Sequence, residues 1–237
     1  MSQITIVTAV GVSDKESSVA VRSLLFQNWI KKLQTDKWNV TRVEILEVDA
    51  RGSEVGSIRV AVDFAGPSGV NERRRMTLLP PLVNILAIPE TSEGEQVVLV
   101  QGLSLATGRQ MLSNPAGVMR EGETFQEAVS RVLAGIALPL NWSQSLRYDL
   151  SAGATCSQLV NEQQVAQEAF LYIVRAETSP EVVSDLARQR LKPGESGRAA
   201  LVFARLDHEG IAELCNDHAV DLLTSLMLWQ YLCSAVE

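Results

Sequence analysis

Residues 114–139 read NPAGVMREGETFQEAVSRVLAGIALP, a loop that runs into an amphipathic helix. Pro115 and Gly117 punctuate the loop, and Glu121-Gly122-Glu123 continues it. Thr124 is placed to cap a helix, with Glu127 as its capping-box partner three residues on. Phe125, Ala128, Val129, Val132, Leu133 and Ile136 then recur at the spacing of one apolar helix face.

This loop-helix resembles the signature box of the Nudix hydrolases. Gly117 and Glu123 match the opening glycine and glutamate of the box, and Arg131 and Leu133 match its central arginine and aliphatic residue. Pro115-Ala116-Gly117 is similar to the Pro-Ala-Gly before the box in the ADP-ribose and ADP-sugar pyrophosphatase branch. The resemblance implies a Nudix α/β/α sandwich with a mixed sheet. In the family, three helix glutamates hold Mg²⁺ against the diphosphate of the substrate. Their positions here carry Val132, Gly135 and Ile136, and the closing glycine is replaced by Leu138.

That substitution changes the chemistry. Mg²⁺ is a hard cation that takes oxygen ligands, and none of these three side chains has an oxygen. A catalytic metal supplies several kcal/mol, and about 1.4 kcal/mol is a tenfold change in rate. Other family positions depart as well. Ser104 stands where an arginine grips substrate, and Ser113 where the branch has a glutamate. The late loop begins Ser151-Ala152-Gly153, and Ala166 falls at the expected catalytic glutamate. The resemblance therefore implies the fold, with degenerate catalysis and no cofactor. The alternative is an active pyrophosphatase that uses Mg²⁺ through relocated carboxylates.

The carboxylates available for relocation are Glu121, Glu123 and Glu127 in or beside the box, with Glu162 and Glu168 later. Glu121, Glu123 and Glu127 are the candidate metal ligands, and Glu123, Glu127 and Glu168 the candidate catalytic groups. Glu168 lies one strand period from Ala166 and can point the same way. Glu123 and Glu127 also have a simpler role, because carboxylates at a helix start contribute roughly 0.3–1 kcal/mol. Arg109, in a Thr-Gly-Arg that resembles a family motif, is a candidate substrate contact together with Gly117 and Arg131.

Upstream, residues 3–10 read as a strand and Ser13 opens a helix whose apolar face runs through Leu33. Strand patterns at residues 40–48 and 56–64 flank a turn at Asp49-Ala50-Arg51-Gly52, which predicts a hairpin. This layout, with Ser23 to Trp29 in the helix, resembles the N-terminal part of plant-type ADP-sugar pyrophosphatases. The resemblance implies a homodimer formed through that part. Residues 66–71 (GPSGVN) form a plausible boundary, which gives an N-terminal β-rich region over 1–70 and a Nudix-like domain over 71–237. Short apolar runs at 82–88, 96–100, 146–150, 170–175 and 199–206 predict the central strands. Helices are expected over 180–190 and 219–236, the second with Ala219, Leu222, Leu223, Leu226, Trp229, Gln230 and Cys233 along one side.

Composition narrows the partners. With 46% hydrophobic and 21% charged residues the chain can build a sizeable core. A net charge of −7 disfavours nucleic acid and anionic membranes as partners. The cluster Arg73-Arg74-Arg75 reads as a solvated turn. Cys156, Cys215 and Cys233 are odd in number and widely spaced, and His208 and His218 lack a nucleophile motif nearby. Together with the absence of an apolar leader pattern, they lead to the expectation of a cytoplasmic protein with reduced thiols. The remaining partner expectations are a nucleotide-sugar ligand or another protein.

Overall fold

The computed structural model describes residues 4–35, 39–52, 54–65, 70–104, 107–136, 140–147, 165–188 and 200–234. The chain divides into two compact units. One comprises Met1–Leu82, Met119–Gly122 and Ser157–Ala169, the other Val83–Val118, Glu123–Cys156 and Phe170–Glu237. Elements are numbered along the chain.

The first unit contains β1 (Thr5–Thr8), α1 (Asp14–Arg22), α2 (Leu24–Thr35), β2 (Asn39–Arg51), β3 (Glu54–Ala65), β4 (Asn71–Leu78) and the short β10 (Val165–Ala166). Among the described residues these strands form one sheet in the order β1-β2-β3-β4-β10. The expected hairpin is β2 and β3, closed between Arg51 and Glu54. Gly52 takes a φ of 69°, a left-handed conformation that glycine adopts without strain. Strands β1 and β10 are added in parallel at the two ends. The buried side chains of Phe26, Val43, Ile45, Ile58, Val60 and Leu78 form the core.

Two expectations change here. The single helix from Ser13 is two helices. Ser23 is extended (φ −65°, ψ 143°), and its Oγ donates to Ala20 O at 2.7 Å and accepts from Phe26 N at 3.2 Å. One serine thus ends α1 and caps α2, as serine side chains do when they compete with helix bonding. Arg73 to Arg75 are solvated but lie in strand β4. Arg73 pairs with Glu44 and Asp63, and the Arg74 guanidinium stands 5.2 Å from the Phe64 ring centroid. Cross-strand charge pairing stabilises a strand that is too polar to be read from hydropathy. Strand β4 pairs with β3 from Ala65↔Asn71 to Ile58↔Leu78, and the first unit runs through Leu82.

The second unit contains β5 (Leu82–Thr91), β6 (Gly94–Ser104), β7 (Arg109–Ser113), β8 (Ala116–Val118), α3 (Phe125–Gly135), β9 (Ser143–Arg147), β11 (Ala169–Glu177), α4 (Pro180–Arg188), β12 (Ala200–Arg205), α5 (His208–Asp217) and α6 (Leu222–Ser234). Among the described residues its sheet follows β12-β6-β5-β11-β9, with β7 on β6 and β8 on β5. Strand β6 is antiparallel to β5, β7 and β12. Backbone bonds from Leu82 N to Glu168 O and from Thr178 N to Glu90 O advance in the same direction, so β5 and β11 run parallel and the sheet is mixed. Residues Val83 to Ile88 are all buried, the pattern of a strand covered on both faces. On one face, Phe125 of α3 packs edge-on against Phe170, 4.5 Å between centroids. On the other, Leu86, Ile88, Leu171 and Ile173 join Ile211 of α5 and Leu228 of α6. This is the expected sandwich.

The C-terminal segment departs from its sequence reading. Asp207 caps an additional helix, α5, by accepting from Gly210 N at 2.6 Å. Helix α6 begins at Leu222, because Ala219 O and Asp221 N are bonded to Leu112 of β7, each at 2.8 Å. Its buried side is Thr224, Met227, Leu228, Tyr231 and Leu232, and Leu222, Leu226 and Trp229 face outward.

The end of α6 is fastened to the sheet by a charged cluster. Glu90 and Glu95 lie directly opposite in the β5–β6 hairpin, an arrangement of like charges that is destabilising alone. Arg175 donates to both carboxylates and to the Tyr231 hydroxyl, which in turn donates to Glu95 at 3.0 Å. Burial would lower the Arg175 pKa, but the hydrogen bonds to Glu90 and Glu95 outweigh it and the net shift is upward. Burial pushes the Tyr231 phenol up to about 12. Arg175→Met leaves the two carboxylates facing each other. The expected loss in chemical denaturation is about 1–2 kcal/mol, less than for a fully buried pair because solvent screens the cluster.

Candidate functional site

Helix α3 is built as its sequence spacing indicates. Thr124 is an extended N-cap (φ −74°, ψ 159°). Its backbone N–H donates to Glu127 Oε2 at 2.8 Å, and Glu127 N donates back to Thr124 Oγ1 at 3.3 Å. Hydrogen bonds from the Thr124 backbone and side chain hold the Glu127 carboxyl below its ordinary pKa. Ala128, Val129, Val132 and Leu133 are buried along one face.

The contact that defines the box is between Val132 and Gly117. A Cβ built on Gly117 would stand 2.5 Å from Val132 Cγ2, closer than any real side chain tolerates. The valine methyl therefore occupies the side of the helix that approaches β8, and only glycine fits opposite it. In the resemblance, position 132 carries the first metal-binding glutamate. Here it is a buried apolar residue. Gly135 is exposed, and a Cβ added there would meet nothing within 4 Å. Ile136, the C-cap, is half-buried. The three replaced positions thus have three different environments.

Arg131, one position before Val132, also reaches β8. Its Nε donates to Glu123 Oε1 at 2.7 Å and its Nη2 to Glu123 Oε2 at 2.8 Å, a two-pronged ion pair. Nη2 also donates to Val118 O at 2.8 Å. Hydrogen bonding to Glu123 raises the Arg131 pKa further. This fork ties Val118, at the end of β8, and Glu123 to the middle of α3.

Glu121, in the first unit, accepts from Leu24 N at 3.4 Å at the start of α2. Glu168, also in the first unit, is ion-paired with Lys32, a partner far away in sequence that no local pattern signals. Arg109 is exposed in β7, in register with Ser104. Glu162, Cys156, Leu138 and Ser151 to Gly153 lie outside the described residues. Among the described residues, the donor set does not fit Mg²⁺. Glu123 is committed to Arg131 and Glu127 to Thr124, and Val132, Gly135 and Ile136 offer no oxygen. Among the described residues, no group of three or more His, Cys, Asp or Glu is arranged to hold a metal.

Comparison with known proteins agrees with this architecture. No family profile matches the chain. It is similar to Nudix hydrolase 14, chloroplastic, of Arabidopsis thaliana, at 26% identity over 140 residues. That match covers 55% of this chain and 45% of the relative, so the chain spans less than half of the relative's length. It is also similar in structure to a solved ADP compounds hydrolase, with a TM-score of 0.50 over 84% of this chain and 96% of that one. The fold is that of the Nudix hydrolases. Sequence identity to the solved protein is 14%, so the likeness is one of architecture. No helix among the described residues is long and apolar enough to cross a membrane.

Within this Nudix fold, the box contacts lead to opposite expectations for its two glycines. Gly117→Ala must displace Val132 or β8, and its expected cost is about 1–3 kcal/mol, the range for overpacking. Gly135→Ala meets open space in a helix and is expected to stabilise by up to about 1 kcal/mol. Thermal and urea denaturation of the two variants checks both signs.

The capping box also predicts a pH dependence. The folded-state pKa of Glu127 is depressed, so its stabilising contribution is present above the unfolded value, about 4.3, and is lost as pH falls through the folded value. Glu127→Ala is therefore expected to be less stable than wild type at neutral pH, with the difference closing in acid. Denaturation midpoints measured across that range provide the check.

Proposed function

We propose that this chain is a catalytically degenerate Nudix-fold protein that acts by binding a nucleotide-like ligand or a protein partner. The observation that carries the reading is Val132, a buried residue packed on Gly117 where the resemblance expects a metal-binding carboxylate. Diphosphate hydrolysis needs a charge clamp on the phosphates and a positioned, activated water. The candidate clamp residues Glu123 and Glu127 are engaged within α3 and its loop. The candidate base Glu168 is paired with Lys32, and Ser104 stands where a substrate arginine is expected. The chemical class of ligand is taken from the solved neighbour, a hydrolase of ADP compounds. A homodimer formed through the N-terminal region and a cytoplasmic location complete the proposal. They rest on the resemblance and on the sparse, widely spaced cysteines.

The test is phosphate release coupled to a phosphatase, with ADP-ribose and then ADP-glucose as substrate, in Mg²⁺ and then in Mn²⁺. The expected result is no metal-dependent turnover above background. Titration calorimetry is likewise expected to find no micromolar Mn²⁺ site sensitive to Glu123→Gln. Robust turnover that is abolished by Glu168→Gln overturns the proposal and establishes the alternative, a pyrophosphatase with relocated carboxylates. The triple change Val132→Glu, Gly135→Glu, Ile136→Glu is expected to improve metal binding and still give poor turnover, because the substrate grip at Ser104 stays absent.

A further inference from the structure

We propose that the outer surface of α5 and α6 is a docking site for a basic amphipathic helix of a partner protein. This surface lies on the sheet face opposite α3, because Phe170 and Tyr172 of β11 meet Phe125 while Leu171 and Ile173 pack under α5 and α6. It is therefore separate from the box, and the proposal stands whether or not the box is catalytic.

The first observation is the apolar strip. Leu222, Leu226 and Trp229 are 83%, 37% and 40% exposed, at positions i, i+4 and i+7 of α6. That spacing forms one continuous row along a helix. It is the spacing at which an apolar helix seats its anchors. The His208 ring stands 6.0 Å from the Trp229 ring, which brings the start of α5 beside the later half of α6. Ile211 and Leu214 point into the core. On the side of α5 that carries His208, helical spacing places Ala212 and Cys215, both exposed. The strip therefore widens into a shallow two-helix floor of small and apolar side chains. Contiguous exposed apolar surface of this kind marks interaction sites in soluble proteins.

The second observation is charge, and it selects the occupant. Helix α6 carries no acidic or basic residue. Helix α5 and its cap carry Asp207, Glu209, Glu213 and Asp217 and no lysine or arginine. Arg205 of β12 pairs with Asp207, Glu209 and Glu213 and leaves an acidic excess. Asp217 ends α5, where the helix dipole is already negative and the last turn has no basic residue. That placement is unfavourable alone and is relieved by a cation held nearby. A second copy of this chain would bring one acidic α5 toward another, on a chain of net charge −7. A helix with leucines on one face and lysines or arginines beside them satisfies both the floor and its rim.

The probe is a labelled synthetic helix of about 18 residues, five turns, with leucines on one face and lysines on both flanks. Its control has glutamates in place of the lysines. By fluorescence anisotropy the full chain is expected to bind the lysine peptide at least about tenfold more tightly than the glutamate peptide, and the difference should shrink as salt rises. Leu226→Asp is expected to weaken binding by about tenfold or more, as is the double change Glu209→Lys, Glu213→Lys. Leu222→Asp, at the more exposed position, repeats the apolar arm should Leu226→Asp misfold by circular dichroism. Equal binding of the two peptides, or binding unaffected by these variants, overturns the proposal. Sedimentation in which Leu222→Asp converts a dimer to monomer, with neither peptide bound, assigns the surface to a second copy and also overturns it.

Discussion

The close approach of Gly117 to Val132 sets the rotation of α3, and the rest of the box follows from that rotation. With the Val132 methyl turned toward β8 and no Cβ opposite it, successive residues fall about 100° apart around the helix. Arg131 is then directed to Glu123 and to Val118 O. Ala128, Val129 and Leu133 are directed into the core. A carboxylate at position 132 would have to enter the same close contact or turn away from it. The apolar side chain and the retained glycine form one packing solution, and neither is informative without the other.

Helix α3 is legible from sequence because its information is local. The capping residues lie within one turn, and the apolar period runs through the helix itself. The Glu123–Arg131 fork is also short-range, yet helical periodicity does not announce it, and only the family resemblance singles out its two residues. The three replaced box positions are equivalent in sequence. They separate into a buried valine, an exposed glycine and a half-buried isoleucine because one helix turn passes from core to solvent.

What is not legible depends on contacts between distant segments. Ser23 resembles any polar residue within a helical run, and its ability to end one helix and cap the next appears only with the backbone bonds of α1 and α2. Strand β4 is too polar for hydropathy to find, since its partners Glu44 and Asp63 come from two other strands. Helix α6 is apolar on more than one side, so periodicity alone does not choose its buried face. The choice falls to Tyr231, whose hydroxyl completes the Arg175 cluster, and to Thr224, whose hydroxyl accepts from Asn114 N at 2.8 Å. Two polar anchors turn the leucine row outward.

The electrostatics of the box give the last step. A resident cation is favoured where carboxylates converge with lone pairs left over, because their mutual repulsion is relieved on binding. Here Glu123 and Glu127 each have a donor within the chain. The Arg131 guanidinium neutralises Glu123 with two charge-assisted bonds, and Glu127 is held by the Thr124 N–H and hydroxyl. Val132, Gly135 and Ile136 add no side-chain oxygen to these two engaged carboxylates. At position 132 an uncharged side chain and close packing on Gly117 favour the same arrangement of α3 against β8.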